Sequence, residues 1–261
     1  ISEDTILKHM LYEKKNGKKW DKRSLDQIYK DLKKNDNKIT VPFHPVAYIQ
    51  NDITNAIFPL SGVSNSKTIL CNENGYYAIY DSDRYGFNNP DEEWNKKKIE
   101  FLLIGDSFVH GYCVNRPNDI ASKLRLISNK AVLNLGYGGN GPLIEYATLR
   151  EYINSNIEKV LWFYFEGNDL INLESEKSNN ILINYLNDFT FKQNLKLKQN
   201  QIDNLAINSI KEVREEIQNN GNFSFLKLIK LHNTRVQIFP APKIEEKSSQ
   251  LSRFKGILQL A

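Results

Sequence analysis

The residues best suited to chemistry stand where apolar runs end. "IEFLLIGDSFVHG", residues 99–111, closes an apolar run on Gly105-Asp106-Ser107. A serine hydroxyl is a poor nucleophile until a base takes its proton and something stabilises the oxyanion it creates. A strand-to-helix turn supplies part of this, because it lifts Oγ clear of the sheet and aims the helix's free N–H groups at developing negative charge. Gly105 and Gly111 flank such a turn around Ser107. Two more polar clusters end apolar runs in the same way, "AVLNLGYGGNG" (131–141) and "EKVLWFYFEGND" (158–169). Each has a plainer alternative. Ser107 can be a polar residue where a buried strand finishes, and Asn168 can serve only the backbone of its own turn. Gly136, Gly138 and Gly141 have G-x-G-x-x-G spacing before a helix, but only Glu166 stands at the end of the next run for a ribose, so a dinucleotide turn is the weaker fit.

The elements that must carry these clusters alternate between strand and helix from residue 99. The three apolar runs are short and continuous, as expected of strands buried on both faces, and Trp162, Phe163, Tyr164 and Phe165 are expected in the core. Between them, "DIASKLRLI" sets Ile120, Leu124 and Ile127 on one helical face. Pro142 suits a first helical turn. Leu143, Tyr146, Ala147, Leu149, Tyr152 and Ile153 then continue the i, i+3, i+4 pattern. Such alternation predicts an α/β fold with a parallel sheet, helices on both faces, and sites at the carboxyl ends of the strands. Upstream, residues 1–98 read as an N-terminal helical and hairpin region, with 99–261 as the second domain. Leu25, Ile28, Tyr29 and Leu32 recur at helical spacing, "VPFHPV" is extended, and "TILCNENGYYAIYD" is a hairpin around Asn74-Gly75. Residues 171–220 are polar, with helical patches at Ile202, Leu205, Ala206, Ile210 and Val213. "NFSFLKLIKLHN" is a short apolar helix or strand, "FPAPK" a loop, and "SSQLSRFKGILQLA" the opening of an amphipathic helix.

Composition narrows the function classes. The 261 residues are 40% hydrophobic and 25% charged, which is globular, and the net charge is +4. The lysines are interleaved with acids, so they fit solvated helix faces and not a nucleic-acid surface. Cys71 and Cys113 lie in no CxxC pair and are too few for a disulfide framework, which leaves the redox compartment open. His9, His44, His110 and His232 are scattered and suggest no metal site. No apolar run approaches the ~20 residues of a membrane span, and no signal peptide is visible, though the chain begins with Ile.

Taken in order, "GDSFVHG", "NLGYGGNG" and "EGND" resemble the Ser, Gly and Gly-x-Asn-Asp blocks of the SGNH, or GDSL-type, hydrolase family. Ser107 and Gly139 are 32 residues apart, and Gly139 and Asn168 are 29 apart, room for one strand–helix unit each. The resemblance covers residues 81–170 well and implies a three-layer α/β/α sandwich with a parallel, flavodoxin-like sheet. It further implies Ser107 as nucleophile of a serine hydrolase or acyltransferase. The oxyanion would be held by the N–H groups of Ser107 and Gly139 and by the Asn168 side chain, with no metal or cofactor. Asp106 and Asp169 are expected to brace their turns. The implied partner is a small-molecule or carbohydrate ester, such as an O-acetyl group. "DSDRYGFNNPD" (81–91) looks like the lead-in of envelope-associated members, which favours the envelope or periplasm over the cytoplasm.

The family's base is a histidine in a late Asp-x-x-His block, and this sequence has none. His110 is the nearest imidazole in sequence, across one helical turn from Ser107. His9, His44 and His232 read as helix, loop and surface residues. The expectation is therefore a chain lacking its C-terminal strands together with that Asp and His. The alternatives are a non-catalytic carbohydrate- or ester-binding module of the same fold and, more weakly, a nucleotide-binding flavodoxin-like domain.

Overall fold

The computed structural model of the protein describes residues 3–49, 57–220, 252 and 254–259. In chain order the elements are α1 (Glu3–Asn16), α2 (Leu25–Lys33), β1 (Ile39–Thr40), β2 (Lys67–Ile69), β3 (Ile79–Asp81), β4 (Ile99–Ile104), α3 (Ser107–His110), α4 (Ile120–Ser128), β5 (Val132–Asn134), α5 (Pro142–Tyr152), β6 (Ile157–Trp162), α6 (Asp169–Glu176), α7 (Asn180–Asn187) and α8 (Gln199–Asn220). Residues 254–259 are helical. The runs 222–233 and 239–243, with His232, lie outside the described residues.

Local chemistry explains the N-terminal elements. Ser24 caps α2 by accepting the Gln27 N–H, while the Gln27 side chain accepts the Ser24 N–H in return. β2 pairs antiparallel with β3, Lys67 opposite Asp81 and Ile69 opposite Ile79, and β1 joins β2 in parallel. Pairing continues through the Leu70 N–H to Ala78 O and the Ala78 N–H to Cys71 O, so the hairpin loop is wider than a two-residue Asn-Gly turn. Gly75 takes φ +84 within it. Two cysteines make no disulfide framework, yet Cys71 and Cys113 form a single disulfide that ties this hairpin to the loop after α3.

The second sheet is wholly parallel, in the order β5-β4-β6. The chain leaves β4 for β5 on one side, then crosses back to β6 on the other. The crossovers diverge at the carboxyl end of β4, the switch point where α/β sheets open a crevice. Alternate β4 side chains enter different clusters. Phe101 and Leu103 pack with Val109, Ala121 and Leu124 of α3 and α4, while Leu102 and Ile104 join the cluster built on Leu143, Tyr146 and Ala147 of α5. That larger cluster also holds Ile28, Ile39 and Tyr48, so one core runs through both halves of the chain. α5 is buried at every position but Arg150, which is half-buried. Each large aliphatic enclosed this way contributes about 1.5–3 kcal/mol.

Three expectations are corrected. β6 is an edge strand among the described residues, and Val160, Phe163, Tyr164 and Phe165 are between 36% and 44% exposed, not core. A run of apolar letters records β-propensity and cannot say whether a neighbour lies on both sides. In α4 the inward residues are Ala121 and Leu124, with Ile127 82% exposed and Ile120 at the surface. The helix is pinned by the Asp119 cap on the Ser122 N–H and by the Arg125 side chain on Val132 O, which rotates the apolar stripe outward. Lastly, Pro45 does not extend the chain but opens a 3-10 turn, Pro45–Tyr48.

Candidate functional site

Ser107 is the first residue of α3, directly beyond β4. Asp106 caps this single turn, its Oδ1 accepting the Phe108 N–H at 2.9 Å. Gly111 ends it with φ +76, a left-handed conformation that turns the chain away at once. Ser107 is half-buried, and its hydroxyl makes no hydrogen bond among the described residues. Its N–H, at the head of the helix, is likewise without an acceptor there.

The Gly block lies on the far wall of the same turn. Gly136 packs so tightly on α3 that a side chain there would meet Val109 at 2.6 Å and the His110 backbone nitrogen at 2.7 Å. Asn134 Nδ2 donates to Val109 O at 2.6 Å, while its Oδ1 accepts the Gly136 N–H at 2.9 Å. The Asn140 N–H reaches Tyr137 O at 3.3 Å, closing a turn whose third residue, Gly139, has φ +80. A type II turn needs that sign at that place and directs the central N–H outward. The Gly139 N–H accordingly has no acceptor among the described residues, although the residue is buried.

Asn168 stands at the third strand end, as the residue before α6. Asp169 holds its loop by accepting the Phe165 N–H at 2.6 Å, the bracing role expected of it. The loop meets the Ser turn through the Phe163 N–H on Ile104 O, at 2.8 Å, and the Phe108 and Phe165 rings, 5.1 Å apart. The Asn168 carboxamide, half-buried, makes no hydrogen bond among the described residues. Ser107, Gly139 and Asn168 thus end three adjacent parallel strands at one edge of one sheet.

Below them lies a group of acids. Glu145 of α5 accepts from Trp162 Nε1 at 2.6 Å, and burial beside Asp169 raises its pKa well above the ordinary range. Asp169 is itself pushed up to about 7, by burial first and then by the nearby charges of Asp106 and Glu176. Glu176 spans from α6 to the start of α5, accepting the N–H groups of Gly141 at 2.6 Å and Leu143 at 2.9 Å. A carboxylate there meets the free donors and positive end of the α5 dipole. Among the described residues these acids, with the histidines and cysteines, form no metal-holding group.

Sequence reasoning missed what holds the site together. Residues 83–94 are a scaffold. Buried Asp83 accepts from the Tyr85 and Phe87 N–H groups, Asn89 Nδ2 and Trp94 Nε1. Burial pushes this carboxyl up to about 6 despite those donors. Asn89 so held exchanges two 2.8 Å bonds with the Asn134 backbone, and Asn88 donates to His110 O at 2.9 Å. The density of Asp and Asn in "DSDRYGFNNPD" was the available signal, since buried short polar side chains must find partners. Arg84 pairs with Asp91, at 2.7 Å.

His110 is fully buried, and burial assisted by nearby His44 pushes it down to about 3. Its Nδ1 accepts the Gly138 N–H at 3.2 Å, and its Nε2 lies 3.2 Å from the Tyr80 hydroxyl, so neither nitrogen is free for Ser107. His44 lies beside the Gly turn, half-buried, its ring 5.8 Å from that of Tyr112 and 5.7 Å from that of Tyr137.

No protein-family model matches this chain, and no curated protein does. Among solved structures it is similar to AlinE4, a SGNH-hydrolase family esterase, at 16% identity and a TM-score of 0.26, with 63% of this chain and 96% of that one covered. A mutant form of the same esterase gives the same identity and score over 64% and 97%. At that score the likeness carries no weight for the site, whose chemistry rests on its own residues.

Proposed function

We propose that the protein is a serine ester hydrolase or O-acyltransferase of SGNH type, on a three-layer α/β/α sandwich formed by residues 99–261 and preceded by the helical and hairpin region 1–98. The observation that carries this is the state of three donors. The Ser107 N–H, the Gly139 N–H and the Asn168 carboxamide end neighbouring parallel strands, and none has an acceptor among the described residues. Buried or half-buried donors left open in this way suit an oxygen that becomes negative during reaction.

In the proposed chemistry a general base from outside the described residues takes the Ser107 Oγ proton as Oγ attacks an ester carbonyl, the three donors hold the tetrahedral oxyanion, and the alcohol leaves with that proton. Water, or a sugar hydroxyl in a transferase, then takes the acyl group from the serine. The substrate class is a small acyl ester, including O-acetyl groups on carbohydrate. The chemistry as written uses no metal or cofactor. The Cys71–Cys113 disulfide supports an oxidising compartment such as the envelope or periplasm. Among the described residues no helix is long and apolar enough to cross a membrane.

A second reading is a non-catalytic ester- or carbohydrate-binding module. It is favoured by one specific observation: among the described residues, nothing is bonded to the Ser107 hydroxyl as a base must be. A fluorophosphonate probe decides between the two. Labelling at Ser107, abolished in Ser107→Ala, supports the enzyme. Absence of labelling together with saturable binding of an O-acetylated sugar supports the binding module.

A further inference from the structure

We infer that His110 is a positioning residue of this site, whose Nδ1 orients the oxyanion turn by accepting the Gly138 N–H. The inference rests on the serine reading above and adds to it a residue that touches neither substrate nor Ser107 Oγ.

The geometry specifies the imidazole's state. A backbone N–H can only donate, so the 3.2 Å bond from Gly138 requires a lone pair on Nδ1. A neutral ring then carries its proton on Nε2, which faces the Tyr80 hydroxyl at 3.2 Å. The surroundings keep it that way. The ring is 0% exposed, stacked on Tyr137 with centroids 4.5 Å apart and edged by Tyr80 at 5.4 Å and Tyr112 at 6.0 Å. Besides these three tyrosines, whose phenols burial keeps protonated, the titratable neighbour is His44, which disfavours a positive charge on His110, and no carboxylate contributes to the shift, which reaches about 3.

The consequence falls on Gly139. Its N–H belongs to the peptide that follows Gly138, so anchoring the Gly138 nitrogen limits how that peptide can rotate. The opposite limit is the Asn140 N–H on Tyr137 O. Gly138 itself packs closely on His44, since a side chain there would sit 2.8 Å from His44 Cε1. His110 also ends the one-turn helix that begins with Ser107. One short helix thus carries the nucleophile at its start and the support of the partner donor at its end. A displacement of about 1 Å in such a constellation can cost roughly 10²-fold in rate.

The test compares His110→Phe with His110→Asn in the whole protein. Phe keeps the stack on Tyr137 but offers no acceptor, whereas the Asn carbonyl sits near the place of Nδ1 and can take the Gly138 N–H. With a fluorophosphonate as probe, the labelling rate of Ser107 is expected to fall roughly 10- to 100-fold in His110→Phe and to recover to within a few-fold of wild type in His110→Asn. With a chromogenic acetyl ester, the loss should lie in kcat and leave KM nearly unchanged. Nitrogen NMR of the wild-type imidazole should show the Nε2–H tautomer and no titration between pH 5 and 9. A ring that titrates in that range, or an Nδ1–H tautomer, overturns the inference whatever the kinetics. Equal labelling of wild type and His110→Phe overturns it while leaving the serine reading intact. An unlabelled wild type overturns both.

Discussion

On the β5 side of β4, the Gly turn is held at nearly every residue: Asn134 by Asn89 and Val109, Gly136 by Asn134, Gly138 by His110 and Gly141 by Glu176. On the β6 side, the loop bearing Asn168 is held by the Asp169 carboxylate, one sheet bond and the local bonds of the Asn168 and Asp169 N–H groups to Phe165 O, and its aromatic residues are partly exposed. The Gly flank is anchored by side chains from several distant segments, whereas the distant ties of the Asn168 loop are one sheet bond and the Phe108–Phe165 contact. A donor fixed in advance costs no reorganisation as charge develops. The Gly139 side should therefore govern stability and alignment together, while Asn168 should act mainly through its own amide.

That contrast can be broken at several points. The largest effect is expected from Ser107→Ala, which should take probe labelling and ester turnover to background and leave the unfolding temperature within a degree or two. Substantial residual turnover would show that the reacting atom lies elsewhere. Asn168→Ala comes next. Loss of one oxyanion donor should lower kcat roughly 10²–10³-fold, about 2.7–4 kcal/mol in the barrier, with little change in thermal stability. An equal loss of stability would mean that Asn168 braces its loop instead.

Gly136→Ala tests the rigid flank. With Val109 and the His110 backbone within 2.7 Å of the new methyl, denaturant titration should show a loss of about 1–3 kcal/mol and a parallel fall in labelling. A neutral result would show that the Gly turn is free to move.

The acids under the β6 flank give a smaller, pH-dependent effect. Asp169 and Glu145 hold their protons more tightly folded than unfolded. Their contribution is thus fully present below about pH 4 and is lost as pH rises through about 7. Glu145→Gln keeps an acceptor for Trp162 Nε1 and removes one of the two competing charges. It should shrink the decline in unfolding free energy between pH 5 and pH 8, read by denaturant titration, by an amount on the order of 1 kcal/mol. An unchanged pH profile would remove the acid pair from the account. Smallest of all, Val160→Thr on the exposed edge should shift stability by less than about 0.5 kcal/mol. A larger loss would mean that the edge is covered in solution.

The sequence by itself determined the strand ends and the turns. Apolar runs of strand length, each closing on glycine, asparagine or aspartate, mark where a buried strand surfaces. Local rules of capping and φ then suffice to put Ser107, Gly139 and Asn168 at the heads of loops. The helix opened by Pro142 was legible for the same reason, since a first helical turn is set by residues within a few positions.

Only the tertiary structure decided the sheet order and what it entails. Among the described residues β6 lies at the edge, because the chain crosses back over β4, so letters that suit a strand enclosed on both sides are partly exposed instead. The Cys71–Cys113 bond, the Asn89–Asn134 exchange and the grip of His110 on Gly138 join residues 28 to 45 positions apart. No periodicity encodes such pairs. They exist because folding removes these polar groups from water and leaves each with few partners within reach.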